Sequence, residues 1–291
     1  MKISTSCLVL GSLVLSAQLM ASVNSPKVIY GEDNRVDVFE SKNSAFVELS
    51  KSTAAMISTT NLKSKNGDIE ISGRTLKERG VCASERFSNQ ISAANCSGFL
   101  VGEDTLVTAG HCIKTEADCK SYKWVFDFKV ENSSQKNVTV SEDAVYSCKK
   151  IIATKLDNLS KDDYAVIQLD RKATDRRPLS FRRSGKITKG TELVVMGHPT
   201  GIPTKIADGA KVRDLKTKYF IANLDTYGGN SGSAVFNVKT SEVEGILVRG
   251  DTDYVYSSAQ GCQVSNKCTD EGCRGEDVTF ITNIPALKKI R

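Results

Sequence analysis

The chain has 291 residues, of which 40% are hydrophobic and 25% are charged, and its formal net charge at pH 7 is +6. A chain of this length can bury a substantial core in one large domain or two small ones. Its basic residues are scattered and not clustered with aromatic residues, which argues against a nucleic-acid surface. No stretch approaches the roughly 20 apolar residues of a membrane-spanning helix, so we expect neither nucleic acid nor membranes as partners.

The N-terminus has the pattern of a secretory signal peptide. Lys2 gives a positive start, residues 7–15 form an apolar run, and small residues follow it. We expect a signal peptide at residues 1–21, a short propeptide at 22–27 and a secreted or periplasmic protein. A retained N-terminal anchor is the alternative.

Export changes the interpretation of the nine cysteines. Removal of the signal peptide takes away Cys7 and leaves an even number, which predicts four disulfides in an oxidising compartment. A zinc site at Cys262, Cys268 and Cys273 is the alternative, although the spacings are wide and no His is near. We expect no metal and no cofactor.

Short strand-like segments fill the rest of the chain and are separated by Gly, Asn and Asp. This pattern predicts an all-β sandwich or barrel, not alternating βαβ units. A basic, Pro-containing connector at 171–183 is the best candidate boundary within it, and the tail 283–290 predicts a short helix with Asn283 as N-cap. The candidate strands are 54–57, 69–71, 98–101, 105–108, 123–128, 138–140, 164–169, 192–196, 220–222, 233–236, 245–248 and 278–282.

Two motifs carry candidate catalytic residues. Residues 96–112, CSGFLVGEDTLVTAGHC, predict two short strands joined by a turn and followed by His111. Residues 228–235, GGNSGSAV, place Ser231 in a glycine-rich loop whose N–H groups can face an oxyanion. Together and in this order the motifs resemble those of the trypsin-like (chymotrypsin-fold) serine peptidases, most closely the bacterial glutamyl-endopeptidase-like branch. The resemblance runs from about residue 28 to about residue 285.

The resemblance implies a secreted serine endopeptidase that acts on protein or peptide substrates. It implies two six-stranded antiparallel β-barrels, at about residues 28–175 and 176–291, with a short C-terminal helix. His111 would be the general base, Ser231 the nucleophile, and the N–H groups of Gly229 and Ser231 the oxyanion hole. We expect a monomer.

The family also has a disulfide beside its catalytic His, which corresponds to Cys96–Cys112. The other six cysteines allow 15 pairings, and these stay open. The cysteines concerned are Cys82, Cys119, Cys148, Cys262, Cys268 and Cys273.

The acid of the triad is predicted at Asp163. The family pattern Asp-x-Ala-aliphatic-aliphatic fits from Asp163 onward. Alternation along a strand places Asp163 on the apolar face with Ala165 and Ile167, whereas Asp162 is on the other face. The three residue types that a hydroxyl nucleophile needs therefore occur in the order His, Asp, Ser.

Two further residues of catalytic type are expected to be structural. His198 precedes a proline in a turn, and Ser233 begins an apolar run.

The alternative function is a catalytically silent homologue that acts as a binding module. An esterase of the α/β-hydrolase type is disfavoured because its Gly-x-Ser-x-Gly elbow lacks the final Gly here.

Specificity and activation depart from trypsin. In trypsin, the Asp before the nucleophile forms an ion pair with the N-terminus that activation creates, and Asn230 stands at that position here. Cleavage after Lys27 would give Val28 a free α-amino group, but Asn230 could not form that ion pair with it. Asp225 stands where trypsin has its Lys/Arg-selecting carboxylate, whereas Leu247 replaces the Glu-selecting His of the bacterial branch. A basic, an acidic or another P1 preference stays open. The candidate substrate-pocket residues are Asp225, Thr226, Leu247 and Arg249.

Overall fold

The computed structural model describes residues 29–250 and 252–290, so the predicted signal peptide, propeptide and processing point after Lys27 lie outside the described residues. The described chain consists mostly of strands arranged in two closed six-stranded antiparallel barrels. The predicted all-β, chymotrypsin-like fold is confirmed. Among residues 29–250 and 252–290, no helix has the length and apolar character needed to cross a membrane.

The first barrel closes around large apolar side chains such as Phe99 and Trp124, which are fully buried. Its strands Thr53–Ser58 and Asp163–Leu169 are buried along nearly their whole length, because the barrel interior covers one face and neighbouring segments cover the other. In spatial order the strands are Tyr122–Phe126, Val145–Leu156, Asp163–Leu169, Thr105–Thr108, Ala94–Gly102 and Thr53–Ser58.

The second barrel has its own apolar interior, which includes Leu193, Phe220 and Val235. The opposite faces of some of its strands, at Met196 and Phe236 for example, join the core of the first barrel, so the two barrels pack through shared apolar surface. In spatial order its strands are Glu192–Gly197, Ala234–Asn237, Val243–Arg249, Glu276–Phe280, Tyr219–Ala222 and Lys205–Leu215, and the last pairs with the first.

Smaller elements surround the barrels. Three strands form a separate sheet, namely Leu62–Lys65, Asp68–Ile71 and Val138–Ser141, and two-stranded pairs join Arg74–Thr75 to Ile91–Ser92 and Tyr254–Ser257 to Cys262–Ser265. The α-helices are Ser44–Ser50 and Glu116–Ser121. The 3₁₀ helices are Val38–Glu40, Thr59–Asn61, Lys77–Arg79, Glu142–Ala144, Pro199–Gly201, Ile281–Asn283 and Pro285–Lys289.

The C-terminal helix forms, but its predicted cap is wrong. The last helix is the 3₁₀ helix Pro285–Lys289, and its N-cap residue is Ile284. Asn283 ends the preceding 3₁₀ turn, and its side chain donates to the Lys218 carbonyl at 2.6 Å. A tertiary hydrogen bond has therefore taken the side chain that the local pattern assigned to helix capping.

The N-terminal segment of the described chain is attached to the second barrel at two places. Ile29–Tyr30 pairs in parallel with Lys267–Cys268, and Arg35–Asp37 pairs antiparallel with the barrel strand that begins at Lys205. The buried Lys205 ammonium donates to Asp37 Oδ1 at 2.6 Å. Burial lowers the pKa of Lys205 to about 8, although Asp37 opposes the shift. Strand pairing and a buried ion pair thus hold this segment in place.

All eight cysteines of the described chain form disulfides. The predicted pair Cys96–Cys112 is present, and the zinc alternative is wrong because Cys262, Cys268 and Cys273 are each bonded to another cysteine. The pairs left open by the sequence are Cys82–Cys262, Cys119–Cys148 and Cys268–Cys273.

The disulfides differ greatly in the length of chain that they close, with sequence separations of 180 for Cys82–Cys262 and 5 for Cys268–Cys273. In the chain-entropy model, replacing both cysteines by serine should lower the free energy of unfolding by about 5 kcal/mol for the long loop and about 2 kcal/mol for the short one. Urea unfolding of the two double variants measures this. An equal or reversed order would contradict the expectation.

Candidate active site

His111 and Asp163 are in direct contact. His111 lies just after the strand Thr105–Thr108, and Asp163 begins the neighbouring strand of the first barrel. His111 Nδ1 lies 2.9 Å from Asp163 Oδ2, and the His111 main-chain N–H donates to Asp163 Oδ1 at 3.1 Å. The Asp163 side chain is 2% exposed and that of His111 is 30% exposed. The carboxylate thus fixes the ring, which stays partly exposed.

The two neighbouring aspartates face different partners. Asp162 Oδ2 binds Lys155 Nζ at 3.0 Å and Ser160 Oγ at 3.1 Å. It lies 3.6 Å from Lys218 Nζ. The structure therefore brings Asp163, and not Asp162, to the imidazole, as the alternation along the strand predicted.

The turn that delivers His111 depends on Gly110 for space. A Cβ at position 110 would lie 2.1 Å from the Lys155 carbonyl oxygen and 2.9 Å from the Tyr164 nitrogen. Only glycine lets the chain approach the adjacent strands so closely. The disulfide Cys96–Cys112 closes the other side of the turn.

The loop of Ser231 packs against the first barrel through Ser97. The Ser97 N–H donates to the Ser231 carbonyl at 2.8 Å, and Ser97 Oγ donates to the Gly229 carbonyl at 2.8 Å. Gly232 has φ +92°, and a Cβ there would lie 2.0 Å from the Ser97 carbonyl oxygen. The glycine that follows Ser231 is thus required for both its left-handed backbone and its close approach.

Sequence reasoning missed Ser97. It is fully buried, accepts the His198 N–H at 3.0 Å on its hydroxyl, and accepts Thr108 Oγ1 at 2.7 Å on its carbonyl. The only local signal is a polar residue inside the apolar run after Cys96. That signal gives no partner, because the partners lie far away in the chain.

The other residues of catalytic type are buried. Ser233 is fully buried, and its Oγ donates to Asn230 Oδ1 at 3.3 Å. His198 is also fully buried, with Nδ1 3.1 Å from the Ile202 carbonyl oxygen and its ring stacked on Phe128. Burial lowers the pKa of His198 to about 3. These contacts favour structural roles for both.

The candidate substrate-pocket residues have partners within the protein. Asp225 accepts the N–H groups of Tyr30 and Asn34 at 2.7 and 2.9 Å. Thr226 Oγ1 donates to Glu276 Oε2 at 3.2 Å. Leu247 is 3% exposed within the core of the second barrel, and Arg249 pairs with Asp163 and Asp277. The N-terminal segment, rather than open space, thus faces both oxygens of Asp225.

A polar cavity of about 440 Å³ lies beside the Ser231 loop. Gly228 and Gly229 form one wall, and the N-terminal end of the strand Ala94–Gly102 forms another. Its remaining lining residues include Asn61, Arg79, Thr200 and Asp253. The cavity thus borders Gly229, one of the two candidate oxyanion-hole residues.

The chain belongs to the trypsin-like peptidase family. The family model described as "Trypsin-like peptidase domain" matches residues 96–246, which include His111, Asp163 and Ser231. The family predicted from the sequence motifs is therefore confirmed.

A curated relative is the "Extracellular metalloprotease" of Bacillus subtilis (strain 168), which is 27% identical over 161 residues. The match covers 52% of this chain and 49% of that protein. The chain thus spans about half the length of the curated relative that it matches.

Similar solved structures include two with broad coverage. A Glu endopeptidase in complex with MPD has a TM-score of 0.49 and 17% identity, with 83% of this chain and 94% of that chain covered. The Rv3671c protease of M. tuberculosis, in its active form, has a TM-score of 0.49 and 12% identity, with 91% and 90% covered. The Vibrio cholerae VesB protease also has a TM-score of 0.49, with 15% identity, 88% of this chain and 65% of that chain covered.

The Asp225 carboxyl should make stability depend on pH. Burial raises the pKa of Asp225 to about 7 from the ordinary 3.8. The charge of Asp33 also raises this pKa. The N–H groups of Asn34 and Tyr30 lower it, as does the charge of Arg35. Between these values the folded protein holds a proton that the unfolded chain has lost, so the free energy of unfolding falls as pH rises through about 7.

Asp225→Asn removes this titration, so its stability relative to wild type should increase from pH 4 to pH 8. Urea unfolding of both proteins across this range measures the difference. A difference that does not change with pH would contradict the assignment.

Proposed function

We propose that this protein is a serine endopeptidase that hydrolyses peptide bonds through His111, Asp163, Ser231 and an acyl-enzyme. The observation that carries the proposal is the pair of His111–Asp163 contacts, which orient a partly exposed imidazole in a member of the trypsin-like peptidase family. The Ser231 loop packs against the strand hairpin that leads to His111.

His111 acts as the general base. With Nδ1–H donated to Asp163, the neutral ring presents an unprotonated Nε2, which takes the proton from Ser231 Oγ as this oxygen attacks the substrate carbonyl. The imidazolium then gives this proton to the leaving amine. Water then attacks the acyl-enzyme carbonyl while His111 Nε2 takes its proton. The imidazolium returns a proton to Ser231 Oγ as the acyl–oxygen bond breaks, which releases the acid product and restores Ser231.

The oxyanion of each tetrahedral intermediate binds the N–H groups of Gly229 and Ser231. Within residues 29–250 and 252–290, neither N–H has a hydrogen-bond acceptor in the protein. Donors that are already fixed by the loop cost no reorganisation when charge develops. The loop geometry imposed by Gly232 therefore contributes to catalysis as well as to folding.

The name of the Bacillus subtilis relative points to a metal-dependent peptidase. Among the described residues, Cys96, His111 and Cys112 form the group of potential donors. A cysteine ligand must be a thiolate, whereas these two sulfurs form a disulfide, and His111 Nδ1 already binds Asp163. These residues do not fit a metal ion, so the mechanism has no step through one.

Export and N-terminal processing are part of the proposal. Four disulfides are the pattern of an oxidising compartment. Ile29 is fully buried, and its N–H donates to the Asn266 carbonyl at 2.9 Å. Cleavage after Lys27 would place a new α-amino group on the residue before this anchored position. Because Asn230 offers this group a hydrogen bond and no ion pair, processing would order the substrate pocket only modestly.

Labelling with a fluorophosphonate tests the proposed chemistry. The reagent should form one adduct on Ser231, located by mass spectrometry of the purified protein. Ser231→Ala should lose labelling and lower kcat for peptide hydrolysis by about 10⁶-fold, the scale of losing a serine nucleophile, while its unfolding curve stays close to wild type.

Ser233→Ala is the matched control and should keep its adduct at Ser231. EDTA should leave hydrolysis unchanged. Inhibition by EDTA without labelling would support metal-dependent chemistry instead. A folded wild-type protein with neither labelling nor hydrolysis would support the catalytically silent binding module.

A further inference from the structure

Arg249 approaches the candidate triad from the second barrel. It ends the strand Val243–Arg249, whereas Asp163 belongs to the first barrel. Arg249 Nη1 lies 3.5 Å from Asp163 Oδ2, the same oxygen that faces His111 Nδ1 at 2.9 Å. The guanidinium and the imidazole therefore share one carboxylate oxygen.

The rest of the guanidinium is fixed by two other contacts. Arg249 Nε donates to Asp277 Oδ2 at 3.1 Å, and the two residues are cross-strand partners. Arg249 Nη2 donates to the Lys161 carbonyl at 3.2 Å. Each of its three nitrogens thus has a partner, so the side chain is held in one orientation at 29% exposure.

The contact with Lys161 fixes the chain that leads into Asp163. Lys161 has φ +63°, a left-handed conformation that a residue with a side chain rarely adopts. A hydrogen bond to its carbonyl stabilises this turn two residues before the carboxylate. Arg249 therefore acts on Asp163 both through charge and through the preceding backbone.

Charge balance gives the same role to Arg249. Asp163 and Asp277 are each 2% exposed in their side chains, and both face Arg249. Arg274 also binds Asp277, and within the described residues it makes no hydrogen bond or ion pair with Asp163. Without Arg249, two buried carboxylates would lose their shared cation, and like charges repel.

We infer that Arg249 is a positioning residue that holds the Asp163 carboxylate in the orientation that His111 requires, and does not select substrate. The inference rests on the proposed function, since it concerns the same triad. A carboxylate that is free to rotate would hold the correct imidazole tautomer for less of the time. The loss should then appear in kcat, with binding of substrate little changed.

Kinetics of Arg249→Gln, with Arg249→Lys and Arg274→Gln, test this role. Arg249→Gln should lower kcat by about 10- to 100-fold with KM changed less than about threefold, short of the roughly 10⁴-fold loss from neutralising a triad acid. Arg249→Lys keeps the charge and should recover part of kcat. Arg274→Gln is the matched control and should lose less than about threefold.

A proton NMR measurement gives a readout that needs no turnover. The His111 Nδ1–H resonance, assigned by its loss in His111→Gln, should shift or broaden in Arg249→Gln and stay in place in Arg274→Gln. Because this signal is independent of hydrolysis, a wild-type protein without activity would overturn the proposed function and still leave Arg249 testable.

Two results would overturn the inference. A rise in KM with kcat unchanged in Arg249→Gln would assign Arg249 to substrate binding. A His111 Nδ1–H resonance that is identical in wild type and Arg249→Gln would show that Arg249 does not orient the Asp163–His111 pair.

Discussion

Ser97 joins the Ser231 loop of the second barrel to the first barrel, and the candidate site depends on this junction. Its main-chain N–H binds the Ser231 carbonyl, its hydroxyl binds the Gly229 carbonyl, and its own carbonyl accepts Thr108 Oγ1. His111 and Asp163 belong to the first barrel and Ser231 to the second. Loss of the buried hydroxyl would leave polar groups unpaired at a cost of about 1–3 kcal/mol.

Charge makes a second junction between the barrels. Arg249 of the second barrel contacts Asp163 of the first, and its cross-strand partner Asp277 balances its charge. The site is thus held by neutral hydrogen bonds at one junction and, at the other, by ion pairs between a partly exposed guanidinium and two buried carboxylates. Buried ion pairs contribute little net stability but are costly to break, which suits residues that must keep one geometry.

The sequence predicted the fold class, the family and the His111–Asp163 contact, because motifs and strand alternation are local. Two barrel strands were missed. Val145–Leu156 carries many exposed residues and two register shifts, and Lys205–Leu215 is rich in charge and contains a bulge, so neither shows clean alternation. Ser97 and the partners of Arg249 were also missed, because their contacts join positions far apart in the chain.

The most direct test of this account is the rate at which a fluorophosphonate labels Ser231 in Ser97→Ala. Ser52→Ala removes another buried serine hydroxyl, which donates to the Arg177 carbonyl away from the Ser231 loop, and serves as the control. The account predicts that Ser97→Ala lowers the labelling rate at least about tenfold, whereas Ser52→Ala does not. The reason is that losing one buried hydrogen bond shifts the equilibrium between the ordered and the displaced Ser231 loop by about this factor. Equal labelling rates in wild type and Ser97→Ala, with both proteins folded, would contradict it.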